Sequence, residues 1–239
     1  MPDNIPPTLE ELLQALRSPD VRERRHAAYT LEHQPDPRSI DPLIQALRDD
    51  DEDVRMTAAD ALSALHALEA VQPLIEALHD PAEVVRAAAA GALGALGDRR
   101  AISPLLAAFK DPSHHVCDAV AGALDLLGDR SIIPVMLQLL TDEQNWVRGC
   151  AAYVLGRLGD AAVLEPLLGA LHDADPDVRY DVIEALEALG DPRALPALEE
   201  VARTDEGEAW WDIHGAPPGI SVSFKAEVAL ESIRHAESE

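Results

Sequence analysis

A unit of about 31 residues recurs along the chain, and it limits the possible fold more than any other feature. The dipeptide Val-Arg begins at residues 54, 85, 147 and 178, and the tripeptide Leu-Gly-Asp begins at residues 96, 127, 158 and 189. Six prolines, each followed by an apolar residue, are spaced 31, 31, 30, 32 and 30 residues apart: Pro42, Pro73, Pro104, Pro134, Pro166 and Pro196. Three registers with one period identify a tandem repeat.

Each repeat has the pattern of two helices. In the third repeat, Val71, Leu74, Ile75 and Leu78 follow the i, i+3, i+4, i+7 spacing of an amphipathic helix. Asp80-Pro81 then interrupts the chain, and a second apolar stripe runs from Val85 to Leu96. We therefore predict a helical hairpin for every repeat.

Seven such hairpins fill the sequence. A short hairpin cannot bury its apolar faces alone, so neighbours must stack on one another. We predict one all-α repeat domain over residues 1–239, an α-solenoid whose last repeat carries an insertion at 204–222. The predicted repeats lie near 8–33, 39–66, 70–96, 101–127, 132–158, 163–189 and 194–236.

Glycine and aspartate mark the ends of the predicted helices. Gly97 stands where a helix favours a left-handed C-terminal residue, and Asp98 is suited to cap the amides that follow. We expect aspartates such as Asp53 and Asp177 to serve the N-termini of the second helices. Part of the acidity thus has a structural purpose.

The charge balance excludes several classes of function. With 44 acidic and 19 basic residues the net charge is −25, which repels phosphates and anionic lipids. We expect no nucleic-acid or membrane partner. Since only two residues are lysine, the acidity is also compatible with adaptation to a high-salt host. No apolar run resembles a signal peptide or a membrane span, and two cysteines make no disulfide framework, so a cytoplasmic location is expected.

The repeat pattern resembles the HEAT-like repeats of phycobilisome lyases. The residues that carry the resemblance run from Val85-Arg86 through Gly97-Asp98 to Pro104-Leu105. Proteins of this type include bilin lyase subunits, a di-iron hydroxylase and scaffolds without chemistry. The hydroxylase needs paired His-Glu dipeptides, and this sequence contains none.

The resemblance implies that the second helices line a concave face, where residues that differ between repeats would bind a partner. Repeats of this kind share their scaffold positions, so recognition is expected from the variable ones. Aligning the second helices by the 31-residue step gives the candidate partner-binding residues Tyr29, Met56, Asp60, Gly91, Asp118, Gly122, Tyr153, Tyr180 and Glu184.

Glycines are unexpectedly frequent inside these second helices, where each costs about 0.5–1 kcal/mol relative to alanine. One interpretation is an open trough that lets a partner approach the backbone. The other is close packing between neighbouring helices. The sequence leaves both open for Gly91, Gly94, Gly122, Gly149 and Gly156.

Two other features stand out from the repeat. His114, His115 and Cys117 have a spacing that suits a soft metal, but a closed site needs four ligands, so we predict a plain helix start without metal. The insertion holds Trp210, Trp211 and His214, which either cap the end of the solenoid or bind a partner.

We predict a non-catalytic scaffold or adaptor, without cofactor, whose concave face binds a protein with a basic or helical epitope. The sequence contains no phosphate-binding loop and no nucleophile elbow. The alternative, implied by the resemblance, is a bilin lyase or chromophore-handling chaperone subunit. In that case Tyr153, Tyr180 and the tryptophan loop would face the bilin, and arginines such as Arg148 or Arg179 would reach its propionates.

Overall fold

The computed structural model describes residues 7–209 and 219–236. Within these residues the chain forms fourteen α-helices and one antiparallel ladder of two short strands, so the fold class is all-α, an α-solenoid of helical hairpins. The chain divides into two compact units, unit 1 (Met1–Leu127) and unit 2 (Gly128–Glu239).

Unit 1 contains four hairpins. Each first helix packs against the second helix that follows it, and the second helices pack side by side in the order of the chain. The first helices are α1 (Leu9–Ala15), α3 (Ile40–Ala46), α5 (Val71–Ala77) and α7 (Ile102–Ala108). The second helices are α2 (Val21–His33), α4 (Glu52–Ala64), α6 (Glu83–Leu96) and α8 (His114–Leu127).

Unit 2 contains three hairpins built in the same way. The first helices are α9 (Ile133–Leu139), α11 (Leu164–Ala170) and α13 (Leu195–Thr204). The second helices are α10 (Asn145–Leu158), α12 (Pro176–Leu189) and α14 (Val222–Ala236). Between α13 and α14 the predicted insertion has structure at both ends, because β1 (Glu208–Ala209) pairs with β2 (Ile220–Ser221).

Each first helix after α1 is preceded by a 3₁₀ turn that the sequence analysis did not separate from the helix. The repeated proline is tolerated because it lies so close to the helix start: Pro42 is the third residue of α3, where the missing amide has no partner within the helix. The 3₁₀ turns are Pro37–Ser39, Leu68–Ala70, Arg99–Ala101, Arg130–Ile132, Ala161–Val163 and Pro192–Ala194.

The predicted helix ends at Leu-Gly-Asp are confirmed. Gly97 closes α6 with a φ of 68°, a left-handed conformation that glycine adopts without steric cost. Asp98 then accepts a hydrogen bond from the amide of Arg100 and starts the next 3₁₀ turn. One tripeptide therefore ends a repeat and begins the following one.

The expected caps of the second helices were misplaced by two residues. Asp51 and Asp175 are the N-caps of α4 and α12, and their carboxylates accept backbone amides of the first turn. Asp53 and Asp177 lie inside that first turn, where a negative charge favours the helix dipole. Each of these turns contains several acidic residues, so the sequence alone did not single out the cap.

The core is a repeated set of aliphatic side chains. One leucine from each of six second helices is fully buried, at 31-residue intervals: Leu31, Leu62, Leu93, Leu124, Leu155 and Leu186. Four residues before each leucine stands a buried alanine or valine: Ala27, Ala58, Ala89, Val120, Ala151 and Val182. Small side chains at these positions let neighbouring helices approach closely, and the leucines fill the space between them.

Candidate protein-binding face

Bidentate Arg–Asp pairs hold successive repeats in register. In each pair Nε and Nη2 of an arginine on a second helix bond both oxygens of the aspartate that follows the next first helix, 25 or 26 residues later. The ion-pair distances are 2.6–2.7 Å in the pairs Arg24–Asp49, Arg55–Asp80, Arg86–Asp111, Arg148–Asp173 and Arg179–Asp205. These arginines are the Val-Arg residues of the repeat, together with Arg24, and their function is structural.

Each pair also fixes the backbone of the turn. Nη1 of Arg55 donates to the carbonyl oxygen of Asp49 at 2.8 Å, while the Asp80 carboxylate accepts the amide of Ala82 at 2.9 Å. Desolvation alone would raise the pKa of Asp80, but the bonds from Arg55 and Ala82 outweigh it and hold the pKa below its ordinary value. Sequence reasoning missed this network, although the constant separation of Arg and Asp was a readable signal.

The solvent-facing side of the second helices in unit 1 carries four equivalent residues from α2, α4, α6 and α8. We call this surface the unit-1 face and define it by these residues, which are Tyr29, Asp60, Gly91 and Gly122. Tyr29 and Gly91 are exposed, whereas Asp60 and Gly122 are partly buried. One helical turn earlier, Met56 and Asp118 are also partly accessible. Six of the predicted partner-binding residues therefore lie on the second helices of unit 1.

The five glycines of the second helices fall into two groups. Gly91 and Gly122 have no atom within 4 Å of the position a Cβ would take, so no neighbouring helix requires a glycine there. A Cβ at Gly94 would lie 2.5 Å from Cα of Ala123, and one at Gly156 would lie 2.5 Å from Cα of Ala185. These two are sites of close helix packing.

The fifth glycine makes room for a carboxylate. A Cβ at Gly149 would overlap Oδ2 of Asp181, whose residue is only 5% exposed. The interpretation as an open trough is therefore wrong for Gly94, Gly149 and Gly156, because helix backbones or a buried side chain occupy the space. The open strip consists of Gly91 and Gly122.

Tyr29 supplies an exposed aromatic ring to the unit-1 face. Its residue is 56% exposed, and its ring lies 4.2 Å from the His33 ring, centroid to centroid. Nδ1 of His33 lies 2.9 Å from the carbonyl oxygen of Tyr29, which fixes the imidazole one turn along α2. The tyrosine is thus held in place while most of its ring remains available for contact.

The Asp60 carboxyl has a strongly raised pKa. Burial, and to a smaller extent the nearby Glu32 carboxylate, raise its pKa to about 6. Glu32 belongs to α2 and Asp60 to α4, so two neighbouring helices place like charges together.

In unit 2 the predicted aromatic residues are less accessible. Tyr180 is 6% exposed, and Nζ of Lys225 lies 5.4 Å from the centroid of its ring. The same ammonium group bonds Glu187 at 3.0 Å. Tyr153 and Glu184 are partly buried. Lysine and tyrosine therefore tie α14 to α12, and less side-chain area of Tyr180 is free for a partner than expected.

The predicted loop residues Trp210, Trp211 and His214 lie outside the described residues. At the start of the insertion, Asp205 binds both Arg179 and the amide of Gly207. A side chain at Gly207 would overlap the Arg179 guanidinium. The last Arg–Asp pair therefore anchors the insertion to α12.

Cys117 takes the place of the repeated arginine in α8. It is fully buried, and its Sγ donates to the carbonyl oxygen of Phe109 at 3.2 Å. The His114 and His115 rings lie 4.0 Å apart. Among residues 7–209 and 219–236, no three His, Cys, Asp or Glu side chains form a grouping that could hold a metal ion.

No helix in the described part of the chain is both long and apolar enough to span a bilayer.

Solved structures that resemble this chain are repeat proteins. The CpcE–CpcF complex of phycocyanin lyase from Nostoc sp. PCC7120 matches with 24% identity and a TM-score of 0.57, covering 98% of this chain and 97% of the matched one. An archaeal HEAT-like repeats protein from Thermococcus onnurineus NA1 matches with 17% identity and a TM-score of 0.57, covering 97% and 99%. At these identities the likeness concerns the fold.

A designed armadillo repeat protein in complex with the peptide (KR)4 matches with 22% identity and a TM-score of 0.53. The match covers 77% of this chain and all of the designed one. The sequence has no match among curated proteins. The family model of HEAT repeats matches residues 9–94, 71–149, 104–176 and 133–209, which together span most of the chain. Stacked helical hairpins, a common repeat period and this match lead to one conclusion: the chain belongs to the family of HEAT-repeat proteins.

Proposed function

We propose that this protein is a non-catalytic scaffold that binds a protein partner on the unit-1 face. The observation that carries the proposal is the pair of open glycines. Gly91 and Gly122 each cost about 0.5–1 kcal/mol in a helix, and no neighbouring residue needs the space. A partner that lies against the bare backbone gives these glycines a purpose.

The partner we propose has a basic surface and a helical or extended backbone. The net charge of −25 disfavours an acidic partner, and Asp60, Glu32 and Asp118 add local negative charge to the unit-1 face. A flat strip without side chains is suited to a helix or strand that approaches closely, with the exposed Tyr29 ring as an anchor at one end. The designed armadillo protein of similar fold provides a precedent, since it is in complex with a peptide of Lys and Arg.

Bulky side chains in the open strip test this proposal. We expect Gly91→Leu with Gly122→Leu to abolish partner binding while the protein stays folded, because both sites have free space. The measurement is affinity purification with the tagged protein, followed by quantitative mass spectrometry of the proteins retained. Circular dichroism checks that the variant keeps its helix content.

Gly169→Leu is the matched control. A Cβ at Gly169 would also have no atom within 4 Å, but this glycine lies on the first helix α11. The proposal requires the control to retain the partner that the double variant loses. Equal retention by both variants, or equal loss, would place the binding site elsewhere.

The second candidate is a bilin-handling lyase subunit, and the basis for it is the full-length likeness to phycocyanin lyase. The arginines expected to reach the propionates count against it. The side chains of Arg148 and Arg179 are only 16% and 15% exposed, and they bind Asp173 and Asp205. Mixing the purified protein with phycocyanobilin separates the candidates, since a red-shifted absorption band would favour bilin handling over the scaffold.

A further inference from the structure

We propose that α14 of one molecule stacks against α2 of a second copy of this chain, so that the protein associates head to tail. This interaction goes beyond the proposed function and uses other residues. In the described part of the chain α2 is the first of the second helices and α14 is the last, so each packs against one second helix rather than two. Side chains on both helices match a contact that already exists between α12 and α14.

The existing contact joins an aromatic ring, a carboxylate and one cation. On α12, Tyr180 and Glu187 stand seven residues apart, which places them on the same side of the helix, about two turns from each other. Nζ of Lys225, on α14, lies 5.4 Å from the centroid of the Tyr180 ring and 3.0 Å from Oε2 of Glu187. A ring and a carboxylate thus hold one nitrogen-bearing side chain of the following helix.

α14 repeats the ring and the carboxylate at the equivalent positions. Its buried Ala226 continues the series of small residues that stand four residues before a buried leucine. In this alignment Phe224 is equivalent to Tyr180, and Glu231 is equivalent to Glu187. The 31-residue step of the sequence does not show this equivalence, because the insertion interrupts it.

The ring and the carboxylate of α14 are open to solvent. Phe224 is 58% exposed, and Glu231 is also exposed. In the part of the chain that the structure describes, no ring contact or ion pair involves either residue. Val228, one turn after Phe224, adds a second exposed apolar side chain. Covering this surface with another helix would remove apolar area from water.

α2 carries a side chain that fits between this ring and this carboxylate. His26 is the equivalent of Lys225, because each directly precedes the small buried residue of its own helix. His26 is exposed. An imidazole N–H can donate to a carboxylate such as Glu231, while the imidazole ring packs against an aromatic ring such as Phe224.

Positive charge on α2 supports the second copy as the partner. This helix contains three arginines and two glutamates, in a chain whose net charge is −25. Arg22 lies one turn before His26 on the same side of the helix. Its side chain is 88% exposed, at 3.6 Å from the Asp20 carboxylate. α2 therefore presents a guanidinium and an imidazole side by side.

Negative charge on α14 is complementary to this surface. Glu227 and Glu231 are exposed on the same helix as Phe224. The lysine and the arginine of α14 bind glutamates of other helices, in the pairs Lys225–Glu187 and Arg234–Glu199. Opposite charges meet when α2 stacks on α14, whereas two copies of α14 would bring glutamates together. The charges thus favour a head-to-tail contact over a symmetric one.

Sedimentation velocity of the purified protein tests the contact. We expect the wild-type protein to associate as its concentration rises from about 5 µM to about 500 µM, the affinity range of a small interface. Association should continue beyond the dimer, because every added copy presents a new free surface. A wild-type protein that stays monomeric over this range overturns the proposal.

Two variants each block one of the surfaces. Phe224→Asp places a charge on the α14 surface, and His26→Glu reverses the character of the α2 surface. Both residues are exposed, so we expect both variants to fold, which circular dichroism checks. Each variant alone should associate at least about tenfold more weakly than the wild type.

Mixing the two variants distinguishes the head-to-tail contact from a symmetric one. Each variant keeps the surface that the other lacks, so an equal mixture should form a 1:1 dimer and nothing larger. A variant that associates by itself as strongly as the wild type, or a mixture that stays monomeric, overturns the proposal.

Leu126→Asp and His79→Glu are the matched controls. They make the same changes at exposed residues outside both surfaces, on α8 and directly after α5, and should associate like the wild type. If controls and test variants are weakened equally, net charge governs the association and the proposal is overturned. The variant with Gly91→Leu and Gly122→Leu leaves both surfaces unchanged and should also associate like the wild type, so the two proposals can fail separately.

Discussion

At the scale of single residues, glycine has two different purposes in this protein. Gly94 allows the backbone of α6 to contact Ala123 of α8 closely, whereas Gly91, three residues earlier on the same helix, faces open space. Both residues follow the same repeat pattern, so only the neighbouring helix distinguishes them. The first glycine type supports packing, and the second leaves the helix surface bare.

This distinction predicts opposite effects of the same substitution. Gly91→Ala and Gly122→Ala should each raise the free energy of unfolding by about 0.5–1 kcal/mol, because alanine restricts the unfolded chain and meets no obstacle. Gly94→Ala should lower it by about 1–3 kcal/mol, since the new methyl group would collide with Ala123. Urea denaturation followed by circular dichroism measures all three, and destabilisation by Gly91→Ala would contradict the open position.

At the scale of helices, the Arg–Asp pairs join neighbouring hairpins within each unit. The side chains of Arg55 and Asp80 are only 11% and 9% exposed, and the pair also bonds the backbone of the turns on either side. Hydrophobic stacking alone permits helices to slide, while a bidentate bond fixes one position. The pairs therefore set the register of the repeats in each unit.

Removal of one such arginine should be costly. Arg55→Ala leaves the shielded Asp80 carboxylate without its cation, and we expect the free energy of unfolding to fall by about 2–3 kcal/mol at about pH 7. The difference in free energy of unfolding between Arg55→Ala and the wild type should become smaller as the pH falls through the lowered pKa of Asp80, because the wild-type ion pair is then lost too. Urea denaturation at about pH 7 and at about pH 3 measures both values.

The matched control is Arg48→Ala. The Arg48–Glu76 pair has a single bond of 3.1 Å, and its side chains are 76% and 56% exposed. Surface pairs of this kind contribute little to stability, so Arg48→Ala should have nearly the same free energy of unfolding as the wild type. An equal loss in both variants would show that the bidentate geometry has no special role.

At the scale of the whole molecule, the large negative net charge affects the stability of the folded state. A net charge of −25 on 239 residues makes acidic groups repel one another in the folded state. We predict that Tm rises between about 0.05 M and about 1 M NaCl, because salt screens this repulsion. Differential scanning calorimetry measures the effect. A Tm independent of salt would mean that the local Arg–Asp pairs and caps already balance the charge.

Much of the fold follows from the sequence because repetition makes the pattern visible several times. The period of 31, the two apolar stripes and the glycine ends predicted the hairpins, and the left-handed Gly97 confirms the helix ends. The 3₁₀ turns were not separated from the helices that follow them. The caps at Asp51 and Asp175 were missed, because several acidic residues in each turn fit the role of N-cap equally well.

The candidate site was predictable only in part. The sequence places Tyr29, Asp60, Gly91 and Gly122 at one repeat position, since equivalent residues of stacked repeats lie on the same side. Atoms from other helices determine which glycines are open, and they place the Lys225 ammonium group over the Tyr180 ring. The sequence alone thus determined the hairpins and their repeat positions, because local periodicity encodes them. Only the tertiary structure decided which positions remain open, because the sequence of a single helix does not determine how closely its neighbours pack against it.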